Sequence, residues 1–323
     1  MIKRKPQVCL EIESDLVAAA TGDAEPGAAR RVEHHIGACA ACRVEFGRYR
    51  EIDGVVGALR RAPAAADSVA RAREGLEARL ADLRSRLVSY RVFPSPLGHI
   101  LIARSEHGVS LVEYLDERAD LGASRLSRIA GVETQEDGAE IEALYRELLE
   151  YLRGDRVRLE WPLDLRLARS DFHRAVLQAT AAIPYGAVTS YAGIATHVGN
   201  RSAVRAVAQA LRWNPLPIVV PCHRVIGSSG SLTGYAGDKL PLKQQLLGVE
   251  GVPILRARRD FHVARDTMYV RDHDEVEYCL PTCGSLASRT LANLTLFASR
   301  ERAESAGLAP CTACRPDLHP LSA

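Results

Sequence analysis

Val219-Val220-Pro221-Cys222-His223-Arg224-Val225-Ile226-Gly227 sets one cysteine directly beside one histidine, between an apolar, strand-like stretch and a Gly/Ser turn. Asn214-Pro215-Leu216-Pro217 precedes it. Gly230-Ser231-Leu232-Thr233-Gly234-Tyr235 and then Leu246-Leu247-Gly248-Val249-Glu250 follow. An isolated free cysteine is ordinarily a small buried hydrophobe. A cysteine with an adjacent imidazole and a carboxylate downstream has instead the parts of an activated thiolate nucleophile.

Working outward, 323 residues leave room for two or three domains. A hydrophobic share of 47% and a charged share of 25% are ordinary for a globular protein. The net charge is only +2, so any nucleic-acid affinity must come from a local basic face rather than from the global field. The basic start Met1-Ile2-Lys3-Arg4-Lys5 is followed by no apolar core of signal-peptide length, and no run is long enough for a bilayer. A cytoplasmic protein with no membrane partner is the expectation.

The eight cysteines form three groups: Cys9, Cys39 and Cys42; Cys222 alone; and Cys279, Cys283, Cys311 and Cys314. Close C-x-x-C spacing points to metal rather than disulfides. In residues 1–50, His35 and Cys39 stand one helical turn apart, and with Cys9 and Cys42 make a three-sulfur, one-nitrogen set suited to tetrahedral zinc. Cys279-x-x-x-Cys283, 27 further residues and Cys311-x-x-Cys314 make a four-thiolate set in residues 256–323. Two zinc sites and no organic cofactor are expected.

Residues 51–86 are rich in Ala, Arg, Glu and Leu, with Pro63 as an interruption. Leu76, Leu80, Leu83 and Leu87 suggest a connector helix packed on a neighbouring domain. Residues 87–165 read as three short strands (88–93, 98–103, 109–114) and then a helix through 144–152. In residues 166–255, a helix capped near Ser190 and a second from about Ser202, joined across Gly199-Asn200, suggest a helix-turn-helix. Ala203, Ala206, Ala208 and Ala210 keep that second helix slim enough to approach a minor groove about 6 Å wide. Arg201, Arg205 and Arg212 can then meet phosphates or fill the duplex.

From about residue 87 to 255 these motifs resemble the O6-alkylguanine-DNA alkyltransferases, which take an alkyl group from DNA onto a cysteine. The resemblance implies an α+β alkyltransferase fold: a mixed sheet-plus-helix N-terminal subdomain and a helical, helix-turn-helix catalytic subdomain, here flanked by two small zinc-binding domains. It implies irreversible transfer of an alkyl group from O6 of guanine, and from O4 of thymine, in double-stranded DNA to Cys222. His223 removes the thiol proton through a bridging water, Glu250 orients His223, Asn214 braces the turn, and Tyr191 donates toward the base. Arg205 holds the target nucleotide out of the stack, within a DNA-binding set that includes Ala206, Arg201 and Arg212. Tyr235 lines the pocket, the carbonyls of Cys222 and Val225 accept from the exocyclic amine, and the Ala236 N–H meets O6. A thioether product leaves the protein consumed after one transfer.

Two departures stand out. Ala236-Gly237-Asp238-Lys239-Leu240 replaces the family's pair of glycines and is one residue longer before Glu250. Leu167-Ala168-Arg169-Ser170-Asp171 replaces a Gly-Thr pair. The first unit resembles the zinc-binding domains of anti-sigma factors, which implies a sigma factor or another protein as partner. The last resembles the metal-binding domain of Ada-type repair regulators, whose first cysteine, matching Cys279, accepts methyl groups from phosphotriesters. The basic residues that family carries nearby read Leu280, Ala309, Thr312 and Ala313 here, so Cys279 is expected as a structural ligand before a second acceptor. The alternative to a transferase is a sensor of alkylation damage that signals through its zinc domains.

Overall fold

Period-two alternation between residues 87 and 115 folds as an antiparallel meander of β1 (Leu87–Ser95), β2 (Gly98–Ser105) and β3 (Gly108–Leu115). The computed structural model describes residues 6–61, 66–115, 125–126, 132–136, 138–257, 260–273, 275–286 and 288–321. The basic N-terminal residues 1–5 and Pro63 therefore lie outside the described residues. The chain divides into two compact units, Met1–Ala78 and Arg79–Ala323.

In the first unit, α1 (Gln7–Glu11), α2 (Glu13–Thr21), α3 (Pro26–Ala38) and α4 (Ala40–Arg61) pack against one another. Gly22, at φ 84, ends α2 in the left-handed conformation, and Pro26 opens α3 where its missing N–H is not needed. Cys9, Leu16, Val32 and Cys42 are its buried centre. Four side chains make a thin core.

Helix α5 (Ala66–Arg86) carries Leu76, Leu80 and Leu83, which are 59%, 43% and 45% exposed, and Leu87 belongs to β1. A leucine repeat shows which face is apolar, but it does not show that anything covers that face.

In the second unit, β4 (Glu133–Glu136) pairs parallel to β1 and completes the order β3-β2-β1-β4. Ile100 and Ile102 of β2 face the main core, while Leu101 and Ala103 face a smaller cluster with Val88 and Leu111. This is the pleat sorting alternate residues to opposite faces. Helix α6 (Ala139–Arg153) lays Ile141, Leu148, Tyr151 and Leu152 into the main core and stops at Gly154 in the left-handed region.

Next come α7 (Asp171–Ala181), capped by Ser170, β5 (Ala187–Ser190), α8 (Tyr191–His197) and α9 (Val204–Arg212). The Ser190 hydroxyl accepts from Gly193 N, as its position before α8 predicts. Residues 216–220 are turns rather than a strand; Ile218 lies at φ 74, and only β6 (Val225–Ile226) after the cysteine is extended. Helix α10 (Leu240–Val249) leads directly into Glu250.

The chain continues through β7 (Leu255–Ala257), β8 (Asp260–His262), β9 (Tyr269–Asp272), β10 (Glu277–Tyr278), β11 (Leu294–Phe297), α11 (Arg300–Ser305) and β12 (Ala309–Pro310). Strand β11 lies antiparallel between β5 and β9, giving one sheet of order β6-β5-β11-β9. The strand before α8, the strand after the cysteine and two strands of the cysteine-rich C-terminal region therefore share one hydrogen-bonded sheet. No helix of the described residues is long and apolar enough to cross a membrane.

Candidate active site and metal centres

Cys222 opens a single 3-10 turn, Cys222–Arg224, and is 6% exposed. The loop before it is held by Asn214, whose amide nitrogen donates to Val220 O at 2.9 Å and to Cys222 Sγ at 3.2 Å. The amide oxygen accepts from Leu216 N at 2.9 Å. One buried side chain thus fixes both the strained loop and the sulfur. Burial pushes the Cys222 thiol up, against the pull of the Asn214 amide and the positive charge of Lys243. At rest the sulfur is a thiol, and its proton must leave during reaction.

His223 is the next residue of the same turn. His223 is fully buried, and its Nε2 stands 2.6 Å from Glu250 Oε1. Burial would raise the Glu250 carboxyl, but His223 and Arg224 outweigh it and hold it at about 2. Burial pushes His223 down, only partly countered by Glu250. An ionised carboxylate facing a neutral imidazole places the ring proton on Nε2 and leaves a lone pair on Nδ1. Among the described residues Nδ1 has no hydrogen-bond partner. That lone pair is open to a bridging water.

Glu250 is also the hub of residues that sequence reasoning missed. Arg224 Nε reaches both carboxylate oxygens at 3.1 and 2.9 Å, Gly186 N donates at 3.0 Å, and the Tyr151 hydroxyl donates to Oε1. Arg224 also donates to Ile183 O at 2.5 Å. A buried carboxylate with this many donors stays ionised. Lys243, fully buried on α10, donates to Val225 O at 2.5 Å and Thr233 O at 3.0 Å, and burial lowers it to about 8. A lysine seven residues before Glu250 on an otherwise apolar helix face was the available signal.

Cys222 forms the floor of a cleft of about 540 Å³, walled by Tyr191, Arg205, Arg212 and the loop Thr233–Asp238 with Tyr235 and Ala236. Tyr191 OH reaches Thr233 O at 3.5 Å, and Tyr235 OH pairs with Tyr114 OH at 2.8 Å. Ala236 lies at φ 41, a left-handed conformation that an alanine tolerates less well than the glycine of the family pattern. On α9, Val207, Ala210 and Leu211 are buried while Arg205, Ala206 and Arg212 are exposed. Arg201 is exposed on the turn before α9 and, like Ala206, stands outside the cleft. Val225 is fully buried and does not line the cleft; its carbonyl is bonded to Lys243.

The two cysteine groups are also assembled. The ligand atoms of Cys9, His35, Cys39 and Cys42 all lie within 4.8 Å of one another, as do those of Cys279, Cys283, Cys311 and Cys314. Cys9 Sγ stands 3.7 Å from His35 Nε2 and 3.9 Å from Cys39 Sγ. Tetrahedral zinc with Zn–S near 2.3 Å sets its ligands about 3.7 Å apart, so the residues fit that ion. In the C-terminal group, Leu280 N donates to Cys314 Sγ at 3.3 Å, a backbone contact that favours a thiolate.

Known families and proteins resemble several stretches of this chain. The family described as "6-O-methylguanine DNA methyltransferase, ribonuclease-like domain" matches residues 88–165, and "6-O-methylguanine DNA methyltransferase, DNA binding domain" matches 171–252. "Metal binding domain of Ada" matches 258–317. The constitutive methylated-DNA--protein-cysteine methyltransferase of Bacillus subtilis is 39% identical over 163 residues, covering 50% of this chain and 95% of the relative. The enzyme of that name from Methanosarcina acetivorans is 37% identical over 164 residues, covering 50% and 97%. A crystal structure of Mycobacterium tuberculosis OGT in complex with DNA matches at 36% identity and TM-score 0.42, over 50% of this chain and 92% of that one. On these matches the chain belongs to the methylated-DNA--protein-cysteine methyltransferase family, with an Ada-type metal-binding domain following the transferase residues.

Proposed function

We propose that this chain repairs DNA by moving an alkyl group from O6 of guanine, and from O4 of thymine, to Cys222. The observation that carries the reading is the buried set of Cys222, Asn214, His223 and Glu250 at the floor of a cleft bordered by Arg205 and Arg212. Chemistry on a base inside a duplex requires extrusion, at about a few kcal/mol. Arg205 at the cleft mouth fills the space the base leaves, and Arg201, Ala206 and Arg212 border the backbone.

His223 Nδ1 takes the thiol proton through a water, Glu250 stabilises the imidazolium that forms, and Lys243 and Asn214 stabilise the thiolate. The sulfur attacks the alkyl carbon in line: the S–C bond forms, the C–O6 bond breaks, and its electron pair leaves with guanine. Tyr191 donates a proton toward the ring of the departing base. Tyr235 and Ala236 form the wall against which the base lies. The product is a thioether that no neighbouring group can cleave, so each molecule acts once.

Both cysteine clusters hold zinc in this reading. The metal there ties together segments too small to fold alone. Cys279 sits within the four-thiolate set, and Leu280, Ala309, Thr312 and Ala313 stand where the Ada-type family carries basic residues, which favours a structural ligand over a second acceptor. The first unit is a docking module for a sigma factor or another protein; Ile52, Val55 and Val56 are exposed along α4.

Labelled methyl transfer from a duplex containing O6-methylguanine tests the reading. It should stop at one methyl group per chain and vanish in Cys222→Ser. Tight binding of the damaged duplex without transfer by the wild-type chain would make the protein a damage sensor instead. A methylphosphotriester duplex in a parallel arm should label nothing at Cys279.

A further inference from the structure

The C-terminal metal-binding module reaches the far side of the transferase centre. Thr295, Leu296 and Phe297 of β11 pair with Thr189, Val188 and Ala187 of β5. Just past that strand, Ala298 N donates to Gly186 O at 2.8 Å, while Gly186 N donates to Glu250 Oε2 at 3.0 Å. One glycine thus joins the module to the carboxylate that holds His223. Ser190, whose hydroxyl caps α8, donates that hydroxyl to Leu291 O at 2.9 Å. Val188 and Ile226 share one buried cluster with Leu294, Leu296, Cys279 and Cys311.

Arg302, half-buried on α11, adds a side-chain contact at the same step. Its guanidinium carbon lies 4.4 Å from the centroid of the Tyr185 ring. The Tyr185 hydroxyl donates to Val249 O at 2.9 Å, and the ring stands edge-on to Tyr151, which donates to Glu250. The stem of Arg302 lies against Gly186: a Cβ placed there would meet Arg302 Cγ at 3.0 Å and Glu250 O at 3.2 Å. Gly186 lies at φ 71, in the region where glycine is the unstrained choice. A side chain added there would both strain the backbone and displace Arg302.

We infer that Arg302 is a positioning residue for Glu250, so that the metal-binding module completes the transferase site. The inference rests on the reading of Cys222 as the alkyl acceptor. Arg302 touches neither base nor sulfur. It clamps the Tyr185-Gly186 step from outside, and that step fixes the carboxylate by the Gly186 N–H on one oxygen and by the Tyr185 bond to the residue preceding Glu250. Loss of the clamp lets Glu250 turn away from His223 Nε2, and His223 then accepts the thiol proton less readily. Lysine retains an aliphatic stem over Gly186 and a cation over the Tyr185 ring.

The test compares the full-length, zinc-loaded wild-type chain with Arg302→Ala and Arg302→Lys. Four quantities are read: transfer rate at saturating O6-methylguanine duplex, duplex affinity, bound zinc and melting temperature. The expected result for Arg302→Ala is a transfer rate lower by about three- to tenfold, the size of one cation–π contact, with affinity and zinc content unchanged. Arg302→Lys should recover most of the rate. Wild-type transfer by Arg302→Ala overturns the inference, as does a loss of rate that merely follows the unfolded fraction and is equal in both variants. A wild-type chain that never labels Cys222 refutes the underlying reading, and this inference with it.

Discussion

Replacing Glu250 with glutamine isolates what the buried carboxylate contributes. Glu250 is 1% exposed, and its carboxyl is held at about 2 where an ordinary one lies near 4.5. At about 1.36 kcal/mol per pH unit, that difference corresponds to roughly 3 kcal/mol. A carboxyl whose folded value is depressed stabilises the fold fully above its unfolded value. Its contribution is lost as pH falls from about 4.5 through about 2. Glutamine keeps the shape but leaves Arg224 buried without its counter-charge, a loss of about 3–5 kcal/mol near neutrality. Urea unfolding of both proteins between about pH 5 and pH 2.5 reads the difference. The gap in stability should narrow by about 2–3 kcal/mol across that window, because only the wild-type chain loses the carboxylate. A gap that stays constant down to about pH 2.5 would refute the account of Glu250 as the ionised hub.

Other outcomes follow from the same geometry. Asn214→Ala removes three hydrogen bonds from the loop and sulfur; it should cost about 1–3 kcal/mol in thermal unfolding and slow single-turnover transfer about ten- to hundredfold. Lys243 is lowered to about 8, so its positive charge beside Cys222 is present below that pH and lost above it. Lys243→Met should transfer more slowly at neutral pH and should lack the fall in rate expected of the wild-type chain as pH rises through about 8. Arg205→Ala should cut transfer from duplex DNA by about tenfold or more, since flipping is impaired, while reaction with free O6-alkylguanine base is unchanged.

The meander β1 to β3 and helix α6 were legible because period-two alternation and a helical apolar face are local properties of the chain. Cys222, His223, Asn214 and Glu250 were legible for a related reason: the motif residues are read in linear order. Arg224, Tyr151 and Gly186 were not, because their meaning comes from a carboxylate 26 to 99 residues away. Only the fold brings the Arg224 guanidinium onto both oxygens of Glu250. The pairing of β5 with β11 was hidden too, since four-residue strands about a hundred positions apart carry no register signal of their own. The Val219-Val220 stretch shows the opposite error: a strong local apolar pattern was read as strand-like, and the structure turns it.

Peptide mass mapping of the full-length chain after reaction with an O6-methylguanine duplex tests the central claim most directly. The account predicts a gain of about 14 Da, one methyl replacing one hydrogen, on the peptide that contains Cys222, at most once per chain, with the other cysteine peptides unchanged. Methylation found on any other cysteine, or a Cys222 peptide of unchanged mass when the duplex is demonstrably bound, would contradict it.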